Sequence, residues 1–515
     1  MRFIQGDSGG HTPRFCVYAG KDENTAVIDE NLSKNIPYES QDQRLSITCK
    51  LRREKLPTTM KSLSALLYIS LAVLAIHAKE GKKWALLVAS ANGWYNYGMQ
   101  ADVYHAYQVF REGGVPEEQL VVMAYDDIAE DESNPFKGQV FQSYDLRDIY
   151  EGLKIDYRAD SVNKETFKAV LRGDRQAVKN LTGGDGKVID SGPDDNVFVF
   201  VSNHGVPGHI CWLDGDDMSA TELYADIQHL HKNKRYKNLV LYIDTCYAGS
   251  MFEHILPTNI GVYAATATDA TNLAWNSDCV SAAFGEQAPC LGGLFSINWV
   301  YELLSDDRTR STMNMQFEEA KLACTGQSFP RQYGDLSIAN FTQDQFFGNS
   351  AQNKKPRQSK RYRRSAEAKS VVAKHLLVYQ TLKNQLLRMP ERSLAAERAR
   401  TKLRQVETLM GHADQFIKDV ATAVYGWFGS DETFAWAETN FGPINWSCYE
   451  PVVKSVKDQC PGMMRDEDVR YYAGAKFGVL VNLCNEVTTN TVLAAVNAAA
   501  KVNVLCNVLE EKDFL

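Results

Sequence analysis

Short, nearly unbroken apolar runs alternate with longer amphipathic stretches in the first half of this 515-residue chain. The runs are rich in Val, Leu, Ile and Tyr, and they cover residues 84–89, 120–125, 197–201, 239–243 and 260–265. Because continuous apolarity is typical of strands covered on both faces, the runs predict a mostly parallel sheet. Amphipathic stretches at residues 101–112 and 220–231 predict flanking helices, and together they indicate an α/β domain.

The pattern changes after residue 348. Residues 349–368 are polar and strongly basic, and helical periodicity then covers residues 370–427 and 447–508. The last stretch contains four cysteines, Cys448, Cys460, Cys484 and Cys506. They favour two disulfides in a small helical domain; zinc is the alternative, but zinc sites usually pair cysteines at C-x-x-C spacing. We therefore predict an α/β domain at 79–348, a basic linker at 349–368 and an all-α, disulfide-stapled domain at 369–515.

The N-terminal part resembles a secretion signal with a polar segment before it. Lys61 follows Met60, and residues 63–78 are apolar apart from two serines and one histidine. This arrangement predicts a signal peptide at residues 60–78, with a buried helix or a single-pass anchor as the alternative. We expect translation to begin at Met60, which would leave residues 1–59 as an upstream extension outside the native protein. The mature form is then expected to lack a membrane span.

Charge is unevenly distributed along the chain. The net charge is −8, and 44% of residues are hydrophobic, which is ordinary for a globular protein and lacks the basic excess typical of nucleic-acid binding. Residues 350–405 nevertheless carry 16 basic and 3 acidic side chains, so that the rest of the chain carries −21. A +13 segment is expected to lie on an acidic body at neutral pH and to detach at about pH 4–5, where carboxylates become protonated.

Several positions are candidates for covalent modification in a secretory compartment. Nine cysteines follow residue 78, which allows four disulfides and one thiol. Sequons predict glycosylation at Asn180, Asn340 and Asn445. The run K-R-Y-R-R ends at Arg364 and fits a convertase cleavage pattern, with a solvated charge run as the alternative.

Two of the predicted strands end in reactive side chains. The run 197–201 leads into S-N-H-G, which contains His204 and Gly205, and the run 239–243 leads into D-T-C, which contains Cys246. Ligands bind at the carboxyl ends of such strands, so we expect the imidazole and the thiol to meet there. A nearby histidine activates a thiol as a thiolate–imidazolium pair. Cys246 is therefore the candidate nucleophile and His204 the candidate general acid/base, with the N–H groups of Gly205 and Cys246 forming an oxyanion hole.

Seven motifs in this region point to one enzyme family. They are W-A-L-L-V-A at 84–89, N-G-W-Y-N-Y at 92–97, Q-A-D at 100–102, Y-D-D-I-A at 125–129, L-R-G-D at 171–174, N-H-G at 203–205 and G-S-M at 249–251. Together they resemble the legumains, the asparaginyl endopeptidases of clan CD and family C13. The resemblance implies a caspase-like fold and a cysteine endopeptidase, lysosomal, endolysosomal or secreted, that acts on proteins and needs no metal or organic cofactor.

The same resemblance implies further roles. Asn96 would orient the imidazole, and Cys448 would pair with Cys484 and Cys460 with Cys506. The chain would be an acid-activated zymogen inhibited by its own C-terminal prodomain, with cystatin-type inhibitors as partners and peptide ligation as a side activity. Asn349 and Asn353 are candidate self-cleavage sites.

The expected substrate pocket departs from the family pattern. The pocket positions are Gly98, Met99, Asp244, Leu273, Ala274 and Gly293. The family has an arginine at the first of these and an acidic residue at the last, so its charged pair is missing here. Because apolar walls cannot discriminate as polar ones do, we predict a P1 preference moved from strict Asn toward uncharged or apolar side chains. A catalytically silent homologue that binds peptides or inhibitors is the alternative function.

Overall fold

The computed structural model describes residues 81–279, 281–349, 370–426, 431–465 and 469–507. All described residues belong to one compact unit within Glu80–Leu515. The predicted upstream extension and signal peptide lie outside the described residues, as do Asn353, Arg364 and nearly all of the basic linker. The predicted domain boundaries therefore stay predictions.

A six-stranded sheet forms the centre of the α/β domain. The strands before residue 350 are β1 (Lys83–Ala89), β2 (Leu120–Ala124), β3 (Asn196–Ser202), β4 (Gly205–Val206), β5 (His209–Ile210), β6 (Met218–Ser219), β7 (Asn238–Asp244), β8 (Val262–Thr266), β9 (Trp275–Ser277), β10 (Gly292–Gly293) and β11 (Arg331–Gly334). The main sheet has the order β11-β8-β7-β3-β1-β2, in which β11 alone is antiparallel. The five predicted parallel strands are confirmed. The edge strand β11 has no apolar run and was therefore not predicted.

Helices cover both faces of this sheet. They are α1 (Tyr97–Glu112), α2 (Lys164–Arg172), α3 (Arg175–Thr182), α4 (Ala220–Lys232), α5 (Leu294–Ser305), α6 (Met313–Ala323) and α7 (Asp344–Phe347). Alternate strand residues enter two separate cores, one with α1, α5 and α6 and the other with α2 and α4. This double coverage explains why the strands are apolar without alternation. The helix predicted at 101–112 begins four residues earlier, at Tyr97.

The C-terminal region is helical after one short strand. Its elements are β12 (Val371–Ala373), α8 (Leu377–Leu386), α9 (Leu394–Tyr425), α10 (Asp431–Thr439), α11 (Trp446–Gln459), α12 (Pro461–Arg465), α13 (Arg470–Ala475), α14 (Gly478–Glu486), α15 (Thr489–Ala500) and α16 (Val504–Asn507). The prediction of helix from residue 370 is wrong for β12, where two β-branched valines pair with β9 instead. Within the described part of the chain, no helix combines the length and apolarity that a membrane crossing requires.

Three disulfides form among the nine cysteines after residue 78. Cys448 pairs with Cys484 and Cys460 with Cys506, as the resemblance implies, and Cys279 pairs with Cys290. Nine cysteines would allow four disulfides and one thiol, but Cys211, Cys246 and Cys324 are buried and form no disulfide.

Replacing Cys448 and Cys484 together by Ala should lower the free energy of unfolding by about 3–4 kcal/mol. The disulfide closes a loop of 36 residues, and its loss frees the unfolded chain. Denaturant unfolding of the full chain measures this effect. Cys324→Ala, which removes a buried thiol but no cross-link, is the control, and an equal loss in both variants would contradict the cross-link argument.

Candidate active site

The candidate nucleophile and base follow two neighbouring strands of the main sheet. β3 and β7 pair in parallel as far as Ser202 and Asp244. His204 and Cys246 each lie two residues beyond these ends, and both side chains are buried. The backbone N–H of Asn203 donates to the carbonyl oxygen of Asp244 at 3.1 Å, which holds the two strand ends together. The sheet register therefore brings the imidazole and the thiol to the same edge.

A hydrogen bond to Asn96 orients the imidazole of His204. Nε2 of His204 lies 2.8 Å from Oδ1 of Asn96, and Nδ2 of Asn96 donates to the carbonyl oxygen of Asn92 at 2.8 Å. Because the amide nitrogen is engaged with Asn92, its oxygen faces the ring and assigns the proton to Nε2. Nδ1 then carries the lone pair, and it has no hydrogen-bond partner among the described residues. The ring can accept a proton at Nδ1.

Glycine at position 205 allows the two reactive loops to touch. A Cβ atom at Gly205 would lie 2.5 Å from the carbonyl oxygen of Cys246 and 2.8 Å from Oγ1 of Thr245. Any other residue would push the histidine loop away from the cysteine loop. The backbone at Cys246 and Gly205 is thus in close contact, which is what an oxyanion hole shared by their N–H groups requires.

Burial keeps both reactive groups uncharged in this form. Burial raises the pKa of Cys246 to about 11, and a backbone N–H from Ala274, 3.4 Å from Sγ, offsets this only in part. Burial lowers the pKa of His204 well below its usual value, and the charges of Lys374 and Arg470 lower it further. The pair is therefore thiol and neutral imidazole, not thiolate and imidazolium.

The helical domain packs directly over the imidazole. The ring of Tyr471, in α13, stacks on His204 with 3.6 Å between the ring centres and 13° between their planes. The hydroxyl of Tyr247 donates to the carbonyl oxygen of Ala475 at 2.9 Å. Beside them, Arg470 forms a buried ion pair with Asp217 at 3.1 Å. These contacts bury the residues next to the thiol as well as the imidazole.

The strand β12 lies along β9 beside the thiol. Residues Val371, Val372 and Ala373 pair antiparallel with Ser277, Asn276 and Trp275, respectively. The N–H of the next residue, Lys374, donates to the carbonyl oxygen of Ala274 at 2.9 Å. The N–H of His375 interacts with the sulfur of Cys246. The peptide bond between Lys374 and His375 is therefore adjacent to the nucleophile.

The side chain of Lys374 fills a buried polar pocket beneath the thiol. Its Nζ lies 2.9 Å from Oδ1 and 2.6 Å from the carbonyl oxygen of Asp244, and neither side chain is exposed. Nζ also lies 3.4 Å from Oγ of Ser202, which donates to Asp102 at 2.7 Å. Burial and the neighbouring charge of Asp244 raise the pKa of Asp102. The floor of the pocket thus contains two carboxyl groups and one ammonium group.

Comparison with known proteins assigns the family. The model of the "Peptidase C13 family" matches residues 83–349, which is more than half of the chain. The chain belongs to the peptidase C13 family.

Relatives in this C13 family extend the match beyond the α/β domain. The chain is 31% identical over 417 residues to "Vacuolar-processing enzyme delta-isozyme" of Arabidopsis thaliana, an alignment that covers 79% of this chain and 87% of that protein. It is 40% identical to "Hemoglobinase" of Schistosoma mansoni, over 54% of this chain and 63% of that protein. It is also 40% identical to human "Legumain", over 52% of this chain and 60% of that protein. This C13 member is a cysteine endopeptidase that acts on protein substrates.

A solved structure, caspase-1 from Spodoptera frugiperda, aligns with 53% of this C13 chain and 92% of its own chain. The identity is 10% and the TM-score is 0.30.

The predicted pocket residues of this C13 chain do not all line the same space. Ala274 and Gly293 border the site: a Cβ atom at Gly293 would lie 2.8 Å from Oδ2 of Asp102 and closer still to Asp244. Gly98 is packed against backbone, and a Cβ there would lie 2.9 Å from the carbonyl oxygen of Cys290. Met99 belongs instead to a small apolar cluster with Val372 and Leu377, which also contains the Cys279–Cys290 disulfide. Leu273 is half-buried against the main core.

The predicted pocket did not include Asp102 and Lys374, which lie at its floor beside Asp244 and Ser202. The predicted shift in P1 preference stays a prediction. Asp102 lies one helical turn after Gly98 on α1, so that the spacing i, i+4 and the Q-A-D motif together could have indicated it. Lys374 gave no such signal, because it is one of 16 basic residues between 350 and 405 and lies in a stretch that the periodicity assigns to helix.

The predicted modification sites that the structure describes are exposed. Asn180, Asn340, Asn445 and Asn349 all lie at the surface. Nδ2 of Asn445 donates to the carbonyl oxygen of Cys484 at 3.1 Å, so a glycan there would cost a hydrogen bond. Among the described residues, no group of three or more His, Cys, Asp or Glu side chains is arranged to hold a metal ion.

In the full-length chain, Cys246 should react with iodoacetamide at least about 100-fold more slowly at pH 8 than an ordinary cysteine. A pKa raised to about 11 leaves only a small thiolate fraction at this pH, and Tyr471 and His375 restrict access. Time-resolved labelling with mass spectrometry of the Cys246 peptide measures the rate. Labelling at the rate of free cysteine, with none in Cys246→Ala, would contradict the described burial.

Proposed function

We propose that this chain is the zymogen of a legumain-type cysteine endopeptidase in which Cys246 is the nucleophile, His204 the general acid/base and Asn96 the residue that orients the ring. The observation that carries this assignment is the bond between His204 Nε2 and Asn96 Oδ1, which leaves Nδ1 available to the thiol. The neighbouring strand ends and the close contact at Gly205 support it.

The reaction follows from these groups. His204 accepts the thiol proton at Nδ1, and the thiolate of Cys246 attacks the substrate carbonyl carbon to form a C–S bond. The N–H groups of Gly205 and Cys246 stabilise the oxyanion. The C–N bond then breaks, and His204 returns its proton to the leaving amine. Water hydrolyses the resulting thioester, whereas attack by a peptide amine would give ligation, which stays a prediction.

The helical domain acts as the inhibitor in this proposal. Three contacts support the idea: Tyr471 covers the ring of His204, β12 occupies the edge of β9, and Lys374 fills the pocket. Together they exclude substrate and keep the reactive pair uncharged. Removal of the domain would let water reach Cys246 and His204, and would therefore allow the thiolate–imidazolium pair to form.

Acid should open this arrangement through buried histidines. The pKa values of His204, His209 and His375 are lowered, first of all by burial; the charged groups that face them are Lys374, Arg470, Lys457, Asp217, Glu450 and Lys476. In the open form their pKa values return to about 6.5. Opening therefore takes up protons below about pH 6.5, and the closed form loses stability as the pH falls from there.

Protonation of carboxylates contributes less to the opening of the closed form than the uneven charge distribution along the chain predicts. Asp217 pairs with both Lys457 and Arg470, and these cations hold its pKa below the usual value despite burial. Its ion pairs are present above the usual carboxylate range and are lost only as the pH falls through the lowered value. Acid activation in a lysosomal or other acidic secretory compartment is therefore assigned mainly to the histidines.

Cys246→Ala should abolish peptide hydrolysis by the activated protein, and Asn96→Ala should lower kcat/KM by about 10- to 1,000-fold, because the ring loses its orientation. Fluorogenic peptides at pH 5.5 measure both. Asn92→Ala is the matched control for loss of an asparagine in the same turn. Undiminished hydrolysis by Cys246→Ala would contradict the proposed role of Cys246 as nucleophile. Absence of hydrolysis by the activated wild-type protein would favour a peptide-binding homologue.

His375→Phe should make the rate of activation less dependent on pH. The slope of the logarithm of this rate against pH should fall by about one, because one proton fewer is taken up. Phenylalanine keeps the ring that faces Tyr472 but cannot take up a proton when the domain opens. The measurement is the rate at which peptidase activity appears between pH 7 and pH 4. His229→Phe, at an exposed histidine of α4, is the control. Identical slopes in the wild type and His375→Phe would rule out this histidine as a sensor.

A further inference from the structure

The segment 371–374 occupies the catalytic edge in the manner of an extended peptide. It adds an antiparallel strand to β9, and its last N–H, from Lys374, donates to Ala274 at 2.9 Å. Addition of a strand to a sheet edge is a general mode of peptide recognition, in which the backbone gives affinity and side-chain pockets give specificity. Since the carbonyl of Lys374 precedes the N–H that faces Cys246, this lysine stands where the residue before a cleaved bond would stand.

The pocket that receives Lys374 is built to bind a single cation. Its ammonium group has four oxygen atoms around it: two from Asp244 at 2.9 and 2.6 Å, and one each from Ser202 and the Asn203 backbone at 3.4 Å. The side chain is fully buried. Such convergence of acceptors on one point matches an ammonium group better than the planar fork of arginine.

Asp244 and Asp102 are held in place by the α/β domain itself. Ser296 donates to Asp244 through its hydroxyl at 2.6 Å, and the backbone N–H of Gly293 donates to Asp102 at 3.0 Å. Among the described residues, Lys374 is the only cation that pairs with either carboxylate. When the helical domain leaves, the pocket keeps its acidic groups and loses its counter-ion. A buried carboxylate without a partner is costly, so a cationic ligand is strongly favoured.

From this geometry we propose that the primary pocket selects lysine at P1, so that the enzyme cleaves peptide bonds on the carboxyl side of lysine. The proposal rests on the function proposed above and names its substrate class. Lys374 is then a built-in mimic of the substrate side chain, and Asp244 is the residue that determines specificity. The bonds formed and broken are those of the thioester route already described, with the lysine carbonyl as the acyl group.

The test uses the full chain after activation by a protease that does not cleave beside lysine. The Cys246→Ala chain is treated in the same way, and its rate of hydrolysis is subtracted as the background activity of that protease. Peptides identical except at P1 carry Lys, Arg, Asn, Gln or norleucine. We expect the Lys peptide to have the highest kcat/KM, at least about 100-fold above norleucine, because a buried polar site discriminates strongly against a ligand that leaves it unpaired. Arginine should fall between them.

Asp244→Asn should lower the ratio of kcat/KM for the Lys peptide to kcat/KM for the norleucine peptide by about 100-fold. If this variant does not fold, labelling of the wild-type enzyme tests the P1 selectivity instead. An acyloxymethyl ketone with Lys at P1 should label Cys246 faster than its norleucine analogue. Fastest cleavage after Asn, Gln or norleucine would overturn the lysine proposal while the peptidase function stands. No cleavage of any peptide, with removal of the helical domain verified, would overturn both.

Discussion

The buried ion pair between Lys374 and Asp244 is the interaction on which the closed state depends. Neither side chain touches solvent, and the two lie on opposite sides of the basic segment 349–368 in the sequence. Taking two charges out of water is costly, and only good geometry with additional acceptors compensates it. Here the carbonyl oxygen of Asp244 and the hydroxyl of Ser202 supply those acceptors. The same contact links the position of β12 to the occupation of the pocket and to the charge state of the catalytic pair.

The sheet register sets where this pair can form. Because β3 and β7 end together at Ser202 and Asp244, one edge presents a hydroxyl, a carboxylate, an imidazole and a thiol within two residues of the strand ends. Gly205 and Gly293 allow the backbone and the carboxyl groups to approach closely enough for these four groups to share one edge. The helical domain adds a cation and an aromatic ring to the same edge. Both lower the tendency of His204 to carry charge, and in the proposed zymogen this would hold the enzyme inactive without altering the proposed catalytic residues.

The sequence predicted the parts of the structure that depend on local pattern. Continuous apolar runs located all five parallel strands, and reactive residues after two of them located Cys246 and His204. Pairing between distant segments was not predictable: β11 and β12 are strands only because β8 and β9 offer an edge. The predicted change in P1 preference came from family positions such as Gly98 and Gly293 and stays a prediction, whereas Asp102 and Lys374, at the floor of the pocket, were not among the predicted residues. The edge strands and the composition of the pocket depend on tertiary contacts, which single sequence positions do not reveal.

The most direct measurement is a double-mutant cycle on Lys374 and Asp244 in the inactive Cys246→Ala chain. Free energies of unfolding would be compared for Lys374→Met, Asp244→Asn and the double variant. If the pair holds the closed state, each single change should cost about 3–5 kcal/mol, because it leaves one buried charge without a partner, and the double change should cost at least about 2 kcal/mol less than their sum. Additive effects would contradict the account.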